Sequence, residues 1–426
     1  MTVTDFIPEG ILDNMSTIKI IGVGGGGCNA VTRLYNEGIK DVEYLICNTD
    51  RQALMASPVP DKIQLGSALT KGFGAGMNPE KGRNAALESI EHIKKYIGGN
   101  IDVVFITAGM GGGTGTGAAP VIAKAAKEAG LLTIAVVTYP TNNEGLECLQ
   151  RAYHGIEEMS KYTDSIIIVD NQKMYDFYGD LSIQDAYKKA DDILDTAVRG
   201  ISEIITSTGF VNVDLEDVKV VMRDSGMALV GTGRASGEDR AREAVEKALT
   251  SPLLKDFDLN TAKNVLVNIM YNSKSSLLAS EDTMILDLIR ESTGGGVSKQ
   301  KRGLTPDNRL EGGEKTKKPS PPPDNRLEEG EIAVTILATG FKVNNTPPAR
   351  TRSYSNSDTV ELTDGTADGR GTITLSTGIT GDFQEGSIRE LDTENIFTYG
   401  PDCNISDLEN ETALARRERL RKAGKI

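Results

Sequence analysis

Residues 102–117 read DVVFITAGMGGGTGTG, and the fold is decided in this stretch. The first half is an unbroken apolar run rich in Val, Ile and Phe, the composition of a strand buried on both faces. In the second half, Gly109–Gly117, every residue but Met110 is glycine or carries a hydroxyl, and the run gives onto a helical pattern over 118–129 closed by Gly130. A strand that ends in glycines and opens a helix brings backbone N–H groups close to an anion. Working outward, TIKIIGVGGGGCN at 17–29 repeats the arrangement: a strand, glycines Gly22–Gly27, then a helix over 29–37. Strands at 42–47 (VEYLIC), 131–137 (LLTIAVV) and 165–169 (SIIIV), with a helix at 79–97, continue the alternation. The pattern predicts an α/β fold with a doubly wound parallel sheet and ligand at the carboxyl ends of its strands, over residues 17–181.

Apolar residues at helical spacing from Ile183 to Ile204 predict a long central helix over 182–208. A second, smaller α/β domain is expected at 209–341, with strands at Val218–Met222, Ala228–Gly231, Asn264–Ile269 and Ile332–Thr339. Within it, residues 297–330 break the pattern. PDNRLE occurs at Pro306–Glu311 and again at Pro323–Glu328, which reads as a duplicated surface loop. Residues 342–405 have the polar, aliphatic-poor composition of a disordered linker. The tail 406–426 turns basic at Arg416–Ile426 and reads as a tethered partner-binding segment, or as a solvated chain end. Residues 1–16 read as a flexible N-terminus.

Composition excludes several classes. The 426 residues carry 47 Lys plus Arg against 61 Asp plus Glu, a net charge of -14, so general affinity for nucleic acid or anionic membrane is not expected. No apolar run approaches the ~18 residues of a membrane span, and no signal peptide is visible, so no direct membrane insertion and a cytoplasmic location are expected. The four cysteines stand far apart with no CxxC, which argues against a zinc site or a disulfide framework. His92 and His154 read as helix-surface residues.

The first loop alone fits GxGxxG, and Asp50 lies just past the second strand, where a dinucleotide fold places a ribose-binding acid. An NAD-dependent oxidoreductase is therefore one reading. A second glycine loop exceeds what a dinucleotide needs and suits a polyphosphate held by backbone N–H groups. No GxxxxGK[ST] is present, so positive charge comes from the backbone and a metal ion.

GGGTGTG at 111–117 resembles the signature loop of the tubulin and FtsZ superfamily of GTPases, and the chain is similar to its bacterial cell-division members. VGGGGCNAV at 23–31, NTD at 48–50 and GFGAGMNPEKGRNAA at 72–86 resemble its other nucleotide loops. The resemblance implies GTP/GDP and Mg2+, with K+ as a further ion. It implies phosphate contacts from Gly24, Gly25, Gly26, Gly111, Gly112, Gly113, Thr114 and Gly115, with Asn29, Asn48 and Asp50 in the same loops. Gly74, Ala75 and Gly76 would close on the γ-phosphate side. Glu144 would hold the ribose, Asn171 and Asp191 would read guanine, and Tyr187 would cover the base. Asn212, Asp214 and Asp217, in NVDLED, would complete hydrolysis in the next subunit's site. Asp214 also reads simply as a helix cap. The implied assembly is a head-to-tail homopolymer forming a cytokinetic ring at mid-cell, joined through its tail to membrane-bound adaptors such as FtsA.

Three departures qualify this. Cys148 stands where the family commonly has Arg, with Arg151 the nearest substitute. VSKQKRG at 297–303 is too polar for the family's buried strand. Residues 407–417 match the family's tail only loosely. These leave open a polymerising paralogue that binds nucleotide but hydrolyses it poorly.

Overall fold

The computed structural model describes residues 17–39, 42–177, 179, 192, 196–205, 210–211, 213–251, 254, 259–272, 274–307 and 327–341. The expected linker and tail, together with Tyr187, Asp191 and Asn212, lie outside the described residues.

Six parallel strands form the first half of the sheet: β1 (Thr17–Val23), β2 (Val42–Asn48), β3 (Asp61–Gln64), β4 (Ile101–Gly109), β5 (Leu132–Tyr139) and β6 (Ser165–Asp170). Their spatial order is β3-β2-β1-β4-β5-β6. The order reverses between β1 and β4, so the crevice beyond the carboxyl ends of these two strands is the place such a sheet offers a ligand. Both sheet faces are buried, as the continuous apolar runs require. Ile18 and Ile20 join Phe105, Ile134 and Val136 on one face, beneath Val31 and Leu34 of α1 (Gly24–Glu37). Ile21 and Val23 join Val104 and Ile106 on the other, beneath Ile122 of α6 (Thr114–Glu128) and Ile156 of α7 (Leu146–Ser160).

The helix expected over 79–97 is two helices, α4 (Pro79–Glu88) and α5 (Ile90–Ile97), meeting at Ser89. Between β2 and α4 lie α2 (Arg51–Ala56) and α3 (Ser67–Thr70); α8 (Asn171–Phe177) follows β6. Of the long central helix, residues 196–205 are described and helical. Their Ala197, Val198, Ile201 and Ile204 share one core with β1, β4 and β5 and with Val230, Leu266 and Leu337 of the second half.

The second half continues the sheet through β7 (Gly226–Ser236), joined to β6 by two residue pairs, Ser165–Gly226 and Ile166–Met227. Beyond it lie β10 (Glu331–Thr339), β8 (Asn264–Asn272) and β9 (Lys299–Asp307). One expected strand is a helix: Val218–Met222 belongs to α9 (Leu215–Met222). Asp214 caps it by accepting the Asp217 N–H at 2.8 Å, and Leu215, Val218, Val221 and Met222 form its buried face at helical spacing. A short apolar run satisfies both periods, and the cap decides between them.

The polar segment after residue 297 does form a strand. β9 pairs in parallel with β8 from Asn264–Lys299 to Asn272–Asp307. It is an edge strand, so its first half, Lys299–Lys301, stays exposed while Gly303, Thr305 and Asp307 alternate inward. Charged side chains on such an edge discourage unwanted pairing, and Pro306 needs no ladder partner there. The repeat is divided between two duties. Asp307 of the first copy ends β9, while Leu327 of the second copy is buried against Met270 and Ala333. Leu327 N donates to Asp307 Oδ2 at 3.0 Å and its carbonyl accepts Asn272 Nδ2 at 2.8 Å. The excursion 308–326 thus leaves and returns at hydrogen-bonded points.

Helices α10 (Arg240–Leu249) and α11 (Ala279–Ser292) cover this half. Buried Arg240 grips Glu281 with both Nε (2.6 Å) and Nη2 (2.8 Å) and donates to the Gly330 and Ser276 carbonyls. The Arg240 hydrogen bond holds the Glu281 carboxyl below its ordinary value of 4.5. A depressed carboxyl stabilises the fold fully above that value and loses its contribution as pH falls through the lowered one. Glu281→Gln is expected to cost about 1–3 kcal/mol at pH 7 in urea unfolding, with the gap to wild type narrowing below pH 4.5. Excising 308–324, which restores one PDNRLE, is expected to leave the fold intact. Shortening the closed loop should raise stability by about 2 kcal/mol; a large loss would show that the excursion contributes to the core.

Candidate functional site

Both glycine loops lie at the β1/β4 reversal. The helices start earlier than the sequence suggests: α1 begins at Gly24 and α6 at Thr114, so Gly24–Gly27 and Thr114–Gly117 are themselves first helical turns. Neither N-cap, Val23 or Gly113, supplies a side-chain bond to those turns. The first N–H groups of a helix have no partner within it, and the helix dipole adds partial positive charge. Two such ends converge here. A β-carbon on Gly24 (φ +72°) would sit 2.7 Å from Gly115 N, and one on Gly115 would sit 2.4 Å from Gly109 O. A β-carbon on Gly25 or Gly112, by contrast, would meet nothing within 4 Å. The first pair of glycines permits contact between the loops; the second pair borders open space. Thr114 Oγ1 lies 2.6 Å from Oγ1 of buried Thr49, which ties α6 to the end of β2. Asn29 sits further along α1 with its side chain exposed.

The 71–77 loop closes a third side. Asp50 caps α2 through Oδ1, which accepts Gln52 N (2.8 Å) and Ala53 N (3.2 Å), and bridges by its backbone to Phe73. Asn48 Oδ1 accepts Asp50 N at 3.2 Å. The loop then carries Gly74, Ala75 and Gly76 to the second glycine run, where a β-carbon on Gly113 would be 2.8 Å from Ala75 Cβ. A β-carbon on Gly74 or Gly76 would again meet nothing within 4 Å.

Beyond the ends of β5 and β6 lie Glu144 and Asn171. Glu144 accepts Thr141 N at 3.0 Å, and its second oxygen faces Cys148 Sγ at 3.8 Å. Burial first, then the Glu144 charge, pushes the Cys148 thiol above its ordinary range. Arg151 Nε donates to Gly111 O at 2.9 Å, so a cation does anchor the second loop. In a planar trans peptide this turns the following N–H, that of Gly112, the opposite way. Asn171 Oδ1 is buried without a hydrogen-bond partner. Cys28 is a core residue whose thiol burial raises to about 12, so it is inert.

Asp214 and Asp217 are not brought to this cleft within the chain. They open α9, whose Lys219 pairs with Asp102 (3.7 Å) at the start of β4, whereas the glycines follow the end of β4 at Gly109. Nine residues of strand place the two ends roughly 25 Å apart. Asp217 is ion-paired with Lys301 of β9. Thr49 and Lys301 are contributors that motif reading did not single out. Thr49 lay between two named residues; nothing in the local sequence links Lys301 to Asp217. Among the described residues no three His, Cys, Asp or Glu cluster to hold a metal.

Strand order, a switch-point cleft and two converging helix N-termini define a doubly wound protein built for a polyphosphate nucleotide. The family comparisons give the particular lineage. Residues 17–179 match the GTPase domain of the Tubulin/FtsZ family and residues 226–294 the C-terminal domain of the FtsZ family. The chain is 53% identical over 259 residues to the cell division protein FtsZ of Buchnera aphidicola, spanning 61% of this chain and 67% of that protein. It is 51% identical over 271 residues to that of Pseudomonas aeruginosa, spanning 63% and 68%. It superposes on an empty FtsZ dimer structure from M. jannaschii with a TM-score of 0.68 at 36% identity, covering 80% of this chain and 93% of the other. The chain belongs to the FtsZ family.

The glycines allow a discriminating test. Gly112→Ala should leave thermal stability unchanged while weakening nucleotide binding tenfold or more, about 1.4 kcal/mol, by filling the cleft. Gly115→Ala should instead destabilise the fold, because its methyl meets backbone. Equal nucleotide affinity for Gly112→Ala and wild type in a fluorescence titration would rule out the cleft as the phosphate site.

Proposed function

We propose that this chain is a GTP-binding, self-polymerising division protein whose GTP hydrolysis is completed at the interface between subunits. One observation carries the reading. The phosphate cleft and the acidic turn at Asp214 and Asp217 occupy opposite ends of one sheet. A second copy stacked head to tail is what unites them, and a heterologous contact of that kind extends into a filament. Asp217, and Asp214 beside it, would orient the attacking water, while the converging N–H groups of Gly24–Gly26 and Gly111–Gly115 would stabilise charge on the phosphates. Mg2+ accompanying the nucleotide would lower the phosphate charge. The helix-cap role of Asp214 is compatible with this, since capping fixes the turn that presents both acids.

Guanine fits the remaining groups. The unpartnered Asn171 Oδ1 is a buried acceptor beside the end of β6, suited to a base edge that offers N–H. Glu144 Oε2 would accept from ribose hydroxyls. Asp191, Tyr187 and Asn212 enter by resemblance, as do the monovalent ion, the mid-cell ring and capture of an adaptor such as FtsA by residues 406–426. No described helix is long and apolar enough to cross a membrane.

A poorly hydrolysing paralogue is favoured by one feature, Cys148 beside Glu144, where it withholds a cation. Arg151 on Gly111 works against that reading by supplying one from the next turn.

Asp214→Ala and Asp217→Ala are expected to bind GTP as wild type does but to lose turnover by roughly a hundredfold. Wild-type phosphate release should show a threshold protein concentration. Equal per-molecule rates above and below it would refute the split site, and a rise on Cys148→Arg would favour the paralogue.

A further inference from the structure

The stretch KQKR at 299–302 fills no core, yet it is the part of β9 set beside the acidic turn. Phe210 N donates to Leu304 O at 2.8 Å and Leu304 N to Val211 O at 3.0 Å, so β9 is stitched to the segment leading into α9. Gly303 extends this contact: a β-carbon there would lie 3.2 Å from Val213 Cγ2. Alternation along the strand then divides the cations. Arg302 pairs with Asp282 of α11, and Lys301 pairs with Asp217.

The charges of that turn are lopsided. Asp214, Glu216 and Asp217 fall within four residues of chain. Lys219 serves Glu216 at 2.7 Å and also faces Asp102. Asp214 is engaged with the Asp217 N–H. The side chain that meets the Asp217 carboxylate is therefore delivered from the far edge strand. An acidic turn brought against a neighbour's triphosphate repels it unless a cation comes too, because like charges juxtaposed at an interface weaken association.

We propose that Lys301 is a positioning residue of the split site. Its ammonium holds the Asp217 carboxylate and lets the acidic turn approach the phosphates of the next subunit, a counter-charge that would otherwise be drawn from solution as a monovalent cation. This rests on the assembly-completed reading above. It also gives the polar composition of the strand's first half a purpose beyond keeping an edge soluble.

The test uses the full chain with Lys301→Gln and Lys301→Arg. Assembly is followed by light scattering with GTP and, separately, with a slowly hydrolysed GTP analogue. Turnover is measured above threshold at constant ionic strength, with K+ exchanged for tetramethylammonium. Lys301→Gln should raise the assembly threshold about fivefold without K+ and recover with K+. Wild type and Lys301→Arg should change little between the two salts, and GTP affinity of dilute chains should be the same in all three. A threshold and salt response of Lys301→Gln matching wild type overturns the proposal. So does a lower threshold or faster turnover, which would make the pair an inhibitory latch. Poor folding of Lys301→Gln would show as lost GTP affinity; rescue by Lys301→Arg, or its absence, then decides the matter. Asp217→Ala separates the two levels: wild-type turnover in that variant removes the split site itself, whereas its loss alongside an unaffected Lys301→Gln removes only the role of Lys301.

Discussion

Two helix N-termini pressed together at Gly24 and Gly115 are the constraint on which the rest depends. Each presents unpaired N–H groups and a partial positive charge, so their approach is electrostatically uphill until an anion lies between them. Sterically, it is permitted by the missing β-carbons at the points of contact. The surrounding elements hold this approach in place. Thr49 fixes α6 to the end of β2, Arg151 fixes the Gly111 carbonyl, and Ala75 braces Gly113 from the 71–77 loop. A cleft assembled this way is suited by geometry to an anion and needs no lysine within the loop.

The sheet sets the second constraint, which is distance. β4 begins beside α9 and ends at the glycines, so it works as a rigid spacer between the acidic turn and the glycine loops. Residues 196–205 stiffen that spacer, because their apolar face belongs to the same core as both halves of the sheet. The two-pair contact between β6 and β7 is slight in itself, and this shared core supplies the continuity across it.

Much of this was legible in the sequence. The buried strands were marked by continuous Val and Ile, and the cleft by glycines where strand gives way to helix. What escaped was decided by tertiary context. The Val218–Met222 run reads as strand by its apolar composition even with Asp214 legible as a cap, and burial of Leu215, Val218, Val221 and Met222 on one face makes it a helix. VSKQKRG reads as a poor strand by burial, yet an edge strand needs one paired side and only half its residues inward, which Gly303, Thr305 and Asp307 supply. The helix starts at Gly24 and Thr114 were masked because glycine runs read as loops. The Lys301–Asp217 pair joins residues far apart in the chain and had no local signal.

The closure of the β9–β10 crossing at Asp307 and Leu327 carries an evolutionary corollary. A strand tolerates no single-residue slip, since one step turns every inward side chain outward. The anchors themselves set no such register on the length of chain that joins them, and for a flexible connection each doubling of length costs only about 0.6 kcal/mol. Inserted residues would therefore be tolerated at this point and not a few positions to either side, and it is here that PDNRLE occurs twice.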